Sequence, residues 1–171
     1  ALDCMGGDNA PGAIVDGAVD ALAEHKEASI ILVGDEEKIK ECLNGKEYDK
    51  ERLQIVHASE VILPEEHPAM AVKKKKDSSI TKALYLVREG KADAFISAGS
   101  TGAVLVGGQV IIGRLKGIER PGLGPLIPTV DGVALLIDCG ANLDAGASKL
   151  VQFAKMGSIY MKNVMGIEEP K

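Results

Sequence analysis

"AFISAGSTGAVLVGG", residues 94–108, is the stretch whose reading decides the fold. A short β-prone run through Phe95 and Ile96 gives way to Gly99-Ser100-Thr101-Gly102, and an apolar run of helical length follows. Strand, glycine-rich turn and helix in that order form the local unit of a parallel α/β sheet. Glycines in such a turn let backbone N–H groups converge, and the helix behind them adds unpaired donors and the positive end of its dipole. Ser100 and Thr101 are residues that cap helices and whose hydroxyls also bond phosphate oxygens. The expected occupant is an anion, most simply phosphate.

The same alternation runs outward from this point. Residues 11–25 open with Pro11 and place Ile14, Ala18 and Leu22 four apart, which predicts an amphipathic helix. Residues 29–35, "SIILVGD", read as a buried strand, and residues 36–43 as a short helix ended by Asn44-Gly45. Residues 53–58 alternate like a strand. Helical patterns follow over 69–76 and 79–89, the second stopped by Gly90. The opening stretch predicts a strand over 92–99 and a helix over 101–114, which Gly107 and Gly108 weaken. Residues 121–139 differ: two extended runs flank Val130-Asp131-Gly132, a strand–turn–strand signal. Residues 147–166 predict a helix with Leu150, Phe153, Ala154, Gly157, Tyr160, Met161 and Val164 along one stripe. The fold class is therefore α/β, a mainly parallel sheet sandwiched by helices, in one domain over residues 1–171.

Ligands of such sheets sit beyond the carboxyl ends of the strands. Two further turns resemble the first in composition: "LDCMGGDNAP" at 2–11 and "IDCGANLDAG" at 137–146. One such turn alone reads as a tight βα connection; three in a chain of 171 residues point to a shared phosphate site. The predicted cradle is Gly99, Ser100, Thr101 and Gly102, with Asn142 and the Gly6-Gly7 backbone completing it. Neither G-x-G-x-x-G nor G-x-x-x-x-G-K-[ST] describes these turns.

Lys73 to Lys76 form an unbroken run of four lysines. Such a run usually marks a solvated helix face. Here Lys75 or Lys76 is expected to face the phosphate and stabilise developing charge, with Asp8 or Asn9 orienting groups. Lys73 and Lys74 are then left for an acidic partner. Asp77-Ser78-Ser79 supplies an N-cap for the next helix.

Composition excludes several classes. The net charge of −5, two Phe, three Tyr and no Trp give little basis for nucleic-acid binding. The longest apolar runs are too short to cross a bilayer, and no secretory signal pattern is present. Cys4, Cys42 and Cys139 form neither a C-x-x-C pair nor a Cys/His metal spacing, so free thiols in a reducing compartment are expected, with no metal and no cofactor. His25, His57 and His67 show no link to a nucleophile.

The blocks "DCMGGDNAP", "HPAMAVKKKKDSS", "GKADAFISAGSTGA", "GRLKGIERP", "LIPTVDG", "DCGAN" and "LVQFAKMGS" occur in this order across the chain. Together they resemble the phosphate acyltransferase family of bacterial phospholipid synthesis (PlsX type). The resemblance implies transfer of a fatty acyl group from acyl carrier protein to inorganic phosphate, giving acyl phosphate. It also implies a fold like that of isocitrate and isopropylmalate dehydrogenases, a homodimer, and a cytoplasmic protein associated peripherally with the inner face of the membrane. Members of the family are about twice this length, so the chain corresponds to the N-terminal half of the family fold. Ser100 stands where the family usually has Asn, and Cys4 and Cys139 where it usually has Ala and Val. A phosphotransacetylase-like or dehydrogenase-related enzyme, and a non-catalytic phosphate- or acyl-binding module, are the alternatives.

Overall fold

A computed structural model of the chain describes residues 1–130, 132–142 and 144–170. It divides into two compact units, Ala1–Gly113 and Arg114–Lys171.

The first unit is built on a parallel sheet of β1 (Leu2–Asp3), β2 (Ile30–Gly34) and β3 (Leu53–His57), in that order. β1 registers Leu2 with Leu32, and β2 registers Leu32 with Ile55. Helix α1 (Gly12–Glu24) connects β1 to β2, and α2 (Glu36–Leu43) connects β2 to β3. Because a parallel sheet is covered on both faces, neighbouring residues of β2 enter different cores. Leu32 packs with Val15, Ala18 and Leu22 of α1 and with Ile39 and Leu43 of α2. Val33 packs with Ala58 and Ala83 on the other side. The buried stripe of α1 is Val15, Ala18 and Leu22, with Ile14 flanking it rather than central to it.

Local signals set the helix ends. The Asp35 carboxylate accepts from Glu37 N and Lys38 N and starts α2. Helix α3 (Pro68–Lys74) begins with proline at its first position. Ser78 is the residue of the Asp77-Ser78-Ser79 run that caps α4 (Ser79–Arg88), accepting from Thr81 N at 3.3 Å. Gly90, at φ +69°, follows the end of α4.

The 94–108 stretch differs from its reading in two respects. Residues 92–99 do not form a full strand. Ile96 alone bridges Leu2, through Asp3 N–H to Ile96 O at 2.9 Å and Ile96 N–H to Ala1 O at 3.0 Å. Ile96 is 65% exposed, so nothing among the described residues covers this edge and extends the ladder. The predicted helix over 101–114 divides into α5 (Thr101–Gly107) and a π-helical turn, Gly108–Ile112, stopped by Gly113 at φ +96°. Gly107 is not a breaker: a Cβ there would strike the Leu84 side chain, so its bareness lets α5 lie against α4.

The second unit pairs β4 (Leu126–Thr129) with β5 (Gly132–Leu135), antiparallel, and adds α6 (Ala147–Asn163). The strand–turn–strand reading holds, with Thr129 opposite Gly132; Asp131 of the turn lies outside the described residues. Of the stripe on α6, Phe153, Gly157 and Met161 are buried, whereas Leu150, Tyr160 and Val164 are exposed. Glycine at 157 brings α6 close to Leu135 and Ile137. Among the described residues, no helix is long and apolar enough to cross a membrane.

Candidate functional site

Two of the three glycine turns meet at the carboxyl end of β1. A Cβ on Gly6 would lie 2.6 Å from Gly99 N and 2.8 Å from Gly99 Cα, so the backbones touch where the two glycines face each other. Gly7, at φ +95°, lies against Ala98. Only residues without side chains allow this approach.

The pin of the contact is Asp3, the last residue of β1, 1% exposed. Its Oδ1 accepts from Met5 N at 3.0 Å, and its Oδ2 accepts from the Ser97 hydroxyl at 2.7 Å. Ser97 Oγ in turn accepts from Gly99 N at 3.0 Å. Asp3 and Ser97 escaped the sequence reading, which weighed the glycines and hydroxyls of each turn but not what joins them. The signal was available: an aspartate directly precedes the Cys in both "LDCMGG" and "IDCGAN".

The cradle itself is open on its donor side. Ser100 caps α5, its Oγ accepting from Ala103 N at 3.4 Å. Among the described residues, the N–H groups of Ser100, Thr101 and Gly102 have no hydrogen-bond partner. Thr101 is exposed at the mouth. Gly102 packs on Pro68, since a Cβ there would stand 2.6 Å from Pro68 Cγ, so α3 buttresses the start of α5. Asp8 and Asn9 are exposed in the first turn, and the Asn9 carbonyl accepts from Ala13 N at the start of α1.

The lysines leave by the other end of α3. Pro68 touches the cradle, and Lys73 and Lys74 lie five and six residues further on, ~8–9 Å along the axis at the helical rise. Lys75 does not stand free. Its Nζ donates to Val61 O at 2.7 Å and pairs with Glu66 at 2.6 Å, and this bond together with the Leu63 N–H holds the Glu66 carboxyl below its usual pKa. Lys73, Lys74 and Lys76 are exposed and form no ion pair among the described residues.

The third turn belongs to the second unit. Asp138 does there what Asp3 does in the first. Its Oδ1 accepts from Leu123 N at 2.7 Å, and its Oδ2 accepts from Asn142 N at 2.7 Å and Asn142 Nδ2 at 3.1 Å. Burial pushes the Asp138 carboxyl up, but the bonds from Leu123, Asn142 and Ala141 outweigh it and lower its pKa. The Asn142 amide also donates to Pro121 O at 3.1 Å, so both of its hydrogens are spent inside the turn.

Cys4 is not built as a nucleophile. It is fully buried, and burial pushes its pKa up to about 12. Native protein is expected to take iodoacetamide at the half-buried Cys42 and Cys139 and not at Cys4, with Cys4 labelled only in denaturant; peptide mass mapping checks this. No cluster able to hold a metal ion occurs among the described residues. The hollow of about 530 Å³ lined by Ala1, Ser29, Arg52 and Gln54 opens at the amino ends of the strands, the wrong end of the sheet for a ligand.

Comparison with known proteins adds the family. The model of a family described as fatty acid synthesis protein matches residues 1–171. A phosphate acyltransferase of Clostridium perfringens is 54% identical over 171 residues, covering 100% of this chain and 50% of the relative. A phosphate acyltransferase of Clostridioides difficile is 49% identical over 171 residues, covering 99% of this chain and 50% of that protein. One from Acetivibrio thermocellus is 49% identical over 170 residues. The chain spans about half the length of these curated relatives.

Proposed function

We propose, from the premise that the chain belongs to the fatty acid synthesis protein family, that it carries the phosphate site of an acyltransferase. The reaction moves a fatty acyl group from acyl carrier protein to inorganic phosphate. The relatives named phosphate acyltransferase support this reading, and so does the geometry of the paired turns. The 171 residues form the N-terminal part of a longer α/β fold of the isocitrate/isopropylmalate dehydrogenase type.

The observation that carries the reading is the run of unpartnered N–H groups at Ser100, Thr101 and Gly102 beside the Gly6–Gly99 contact. Phosphate bound there presents an oxygen to the thioester carbonyl. That oxygen attacks the carbonyl carbon, and the C–O bond forms as the C=O electrons move to oxygen. Collapse of the tetrahedral intermediate breaks the C–S bond and releases the carrier thiolate, which takes a proton from water, leaving acyl phosphate. A thioester is activated and a thiolate leaves readily, so the protein's tasks are placement and charge stabilisation. The inert Cys4 suits a direct attack with no covalent enzyme intermediate.

Ser100, Thr101 and Gly102 hold phosphate, Gly99 with Gly6 and Gly7 shapes the bare backbone wall of the cradle, and Asn142 supports the Asp138 turn. Lys75 is held by Glu66, so Lys76 is the lysine of that pair with a free ammonium for developing charge. Asp8 and Asn9 orient groups at the mouth. Thr101→Val tests the cradle: it keeps shape and removes a donor, and a rise in the KM for phosphate of about tenfold is expected, with the thioester KM unchanged. Unchanged phosphate kinetics would remove Thr101 from the site.

Lys73 and Lys74 share a face of α3 with the exposed Met70, three and four positions on, about one helical turn away. This basic, partly apolar face is the docking surface for the acidic carrier protein. Lys73→Glu with Lys74→Glu is expected to weaken carrier binding by about tenfold at low ionic strength and to flatten its salt dependence. A homodimer, and cytoplasmic protein held peripherally at the membrane, complete the picture that the family implies.

A further inference from the structure

Asp3 and Ser97 sit behind the cradle and touch no solvent-facing donor of it, yet they determine its form. Both oxygens of the buried Asp3 carboxylate are taken by neutral donors, Met5 N–H and the Ser97 hydroxyl. A serine hydroxyl has one hydrogen. Because a carboxylate only accepts, that hydrogen must go to Asp3, and the lone pairs of Ser97 are left for Gly99 N–H. The direction of the chain Gly99 N–H → Ser97 O–H → Asp3 is therefore fixed at its buried end. It withdraws the Gly99 N–H from ligand binding and holds the 97–99 backbone against Gly6, while the next three N–H groups stay unpaired.

We propose that Asp3 and Ser97 form a positioning relay that aims the Ser100, Thr101 and Gly102 N–H groups at one phosphate. The inference rests on the phosphate reading of the cradle. It makes a signed prediction that proximity of charge does not. A carboxylate close behind an anion site repels the anion, so neutralising it by Asp3→Asn would tighten phosphate binding if charge alone mattered. In the relay the outcome reverses. The Asn amide supplies one acceptor where two are needed, its NH₂ opposes either Met5 N–H or the Ser97 hydrogen, and phosphate binding weakens.

The test is a titration of the ¹⁵N-labelled 171-residue chain with inorganic phosphate, followed at the amides of residues 99–102. For Ser97→Ala the midpoint is expected to rise about tenfold or more, for Ser97→Thr, which keeps the hydroxyl, by no more than about threefold, and for Asp3→Asn to rise. The Gly99 amide in Ser97→Ala should also lose its protection from hydrogen exchange while α1 and α4 keep theirs. A wild-type titration with an unchanged Ser97→Ala midpoint overturns the relay and leaves the phosphate site standing. A tighter Asp3→Asn overturns it likewise. Absence of any wild-type titration overturns the phosphate reading and the relay together. If Asp3→Asn does not fold, the Ser97 pair decides.

Discussion

Gly6→Ala is expected to lower both stability and phosphate affinity sharply. The new methyl would stand 2.5 Å from Asp3 Oδ2, 2.6 Å from Gly99 N and 2.8 Å from Gly99 Cα. The carboxylate is bonded through both oxygens, and the other two atoms are the backbone of the facing turn, so no flexible side chain can swing clear. Overpacking of a close contact costs about 1–3 kcal/mol. Relief by moving residues 97–99 breaks the Ser97–Asp3 bond and leaves a buried acceptor unpaired, another ~1–3 kcal/mol. A loss of about 3 kcal/mol in urea unfolding is expected, with phosphate affinity reduced at least about tenfold. Gly17→Ala is the control. It adds a methyl in open space within α1 and should stabilise by about 0.5–1 kcal/mol without touching phosphate binding.

Arg52→Ala is the second large effect, and it reads stability alone. Arg52, just before β3, donates from Nη1 to His25 O at 3.0 Å and Ala28 O at 3.1 Å, and from Nη2 to Leu22 O at 3.0 Å. Its Nε bonds Asp49 at 2.8 Å. One guanidinium thus satisfies carbonyls at the C-terminal end of α1 and ties that end to β3, three elements later. Charged hydrogen bonds contribute about 1.5–3 kcal/mol each but not additively. Truncation should cost about 3 kcal/mol and lower the melting temperature of the 171-residue chain by about 6–12 °C, seen by calorimetry. Phosphate binding by the folded fraction should be unchanged, which separates this variant from Gly6→Ala. Lys at position 52 should recover little, because a point ammonium cannot span three carbonyls.

What the sequence made legible follows from range. Helix α2 matches its reading residue for residue because its signals are local: an Asp cap, a three-residue apolar stripe and Asn44-Gly45 at its end. The β4–β5 pairing was equally readable, since two short runs around a glycine turn have few other ways to pair. Residues 92–99 were not, because a ladder needs a second edge, and only Ile96 finds β1. The glycines at 107 and 108 looked like a flaw in a helix until Leu84, distant in sequence, showed what Gly107 accommodates. The cradle residues were visible as composition, whereas Asp3–Ser97 is a bond across ninety-four positions that no spacing rule reaches. Lys75 illustrates the same limit: a run of lysines does not say which one a distant Glu66 will claim.

The most direct measurement is release of free carrier thiol from an acyl carrier protein thioester, with and without inorganic phosphate. It is made on this chain completed with the second half of the Clostridium perfringens relative, since the chain spans 50% of that protein. Thiol release that requires phosphate, with acyl phosphate formed in equal amount and lost on Gly6→Ala, is the predicted result. Thiol release at the same rate without phosphate, or none from the completed chain at saturating phosphate, would contradict a phosphate nucleophile held on the paired glycine turns.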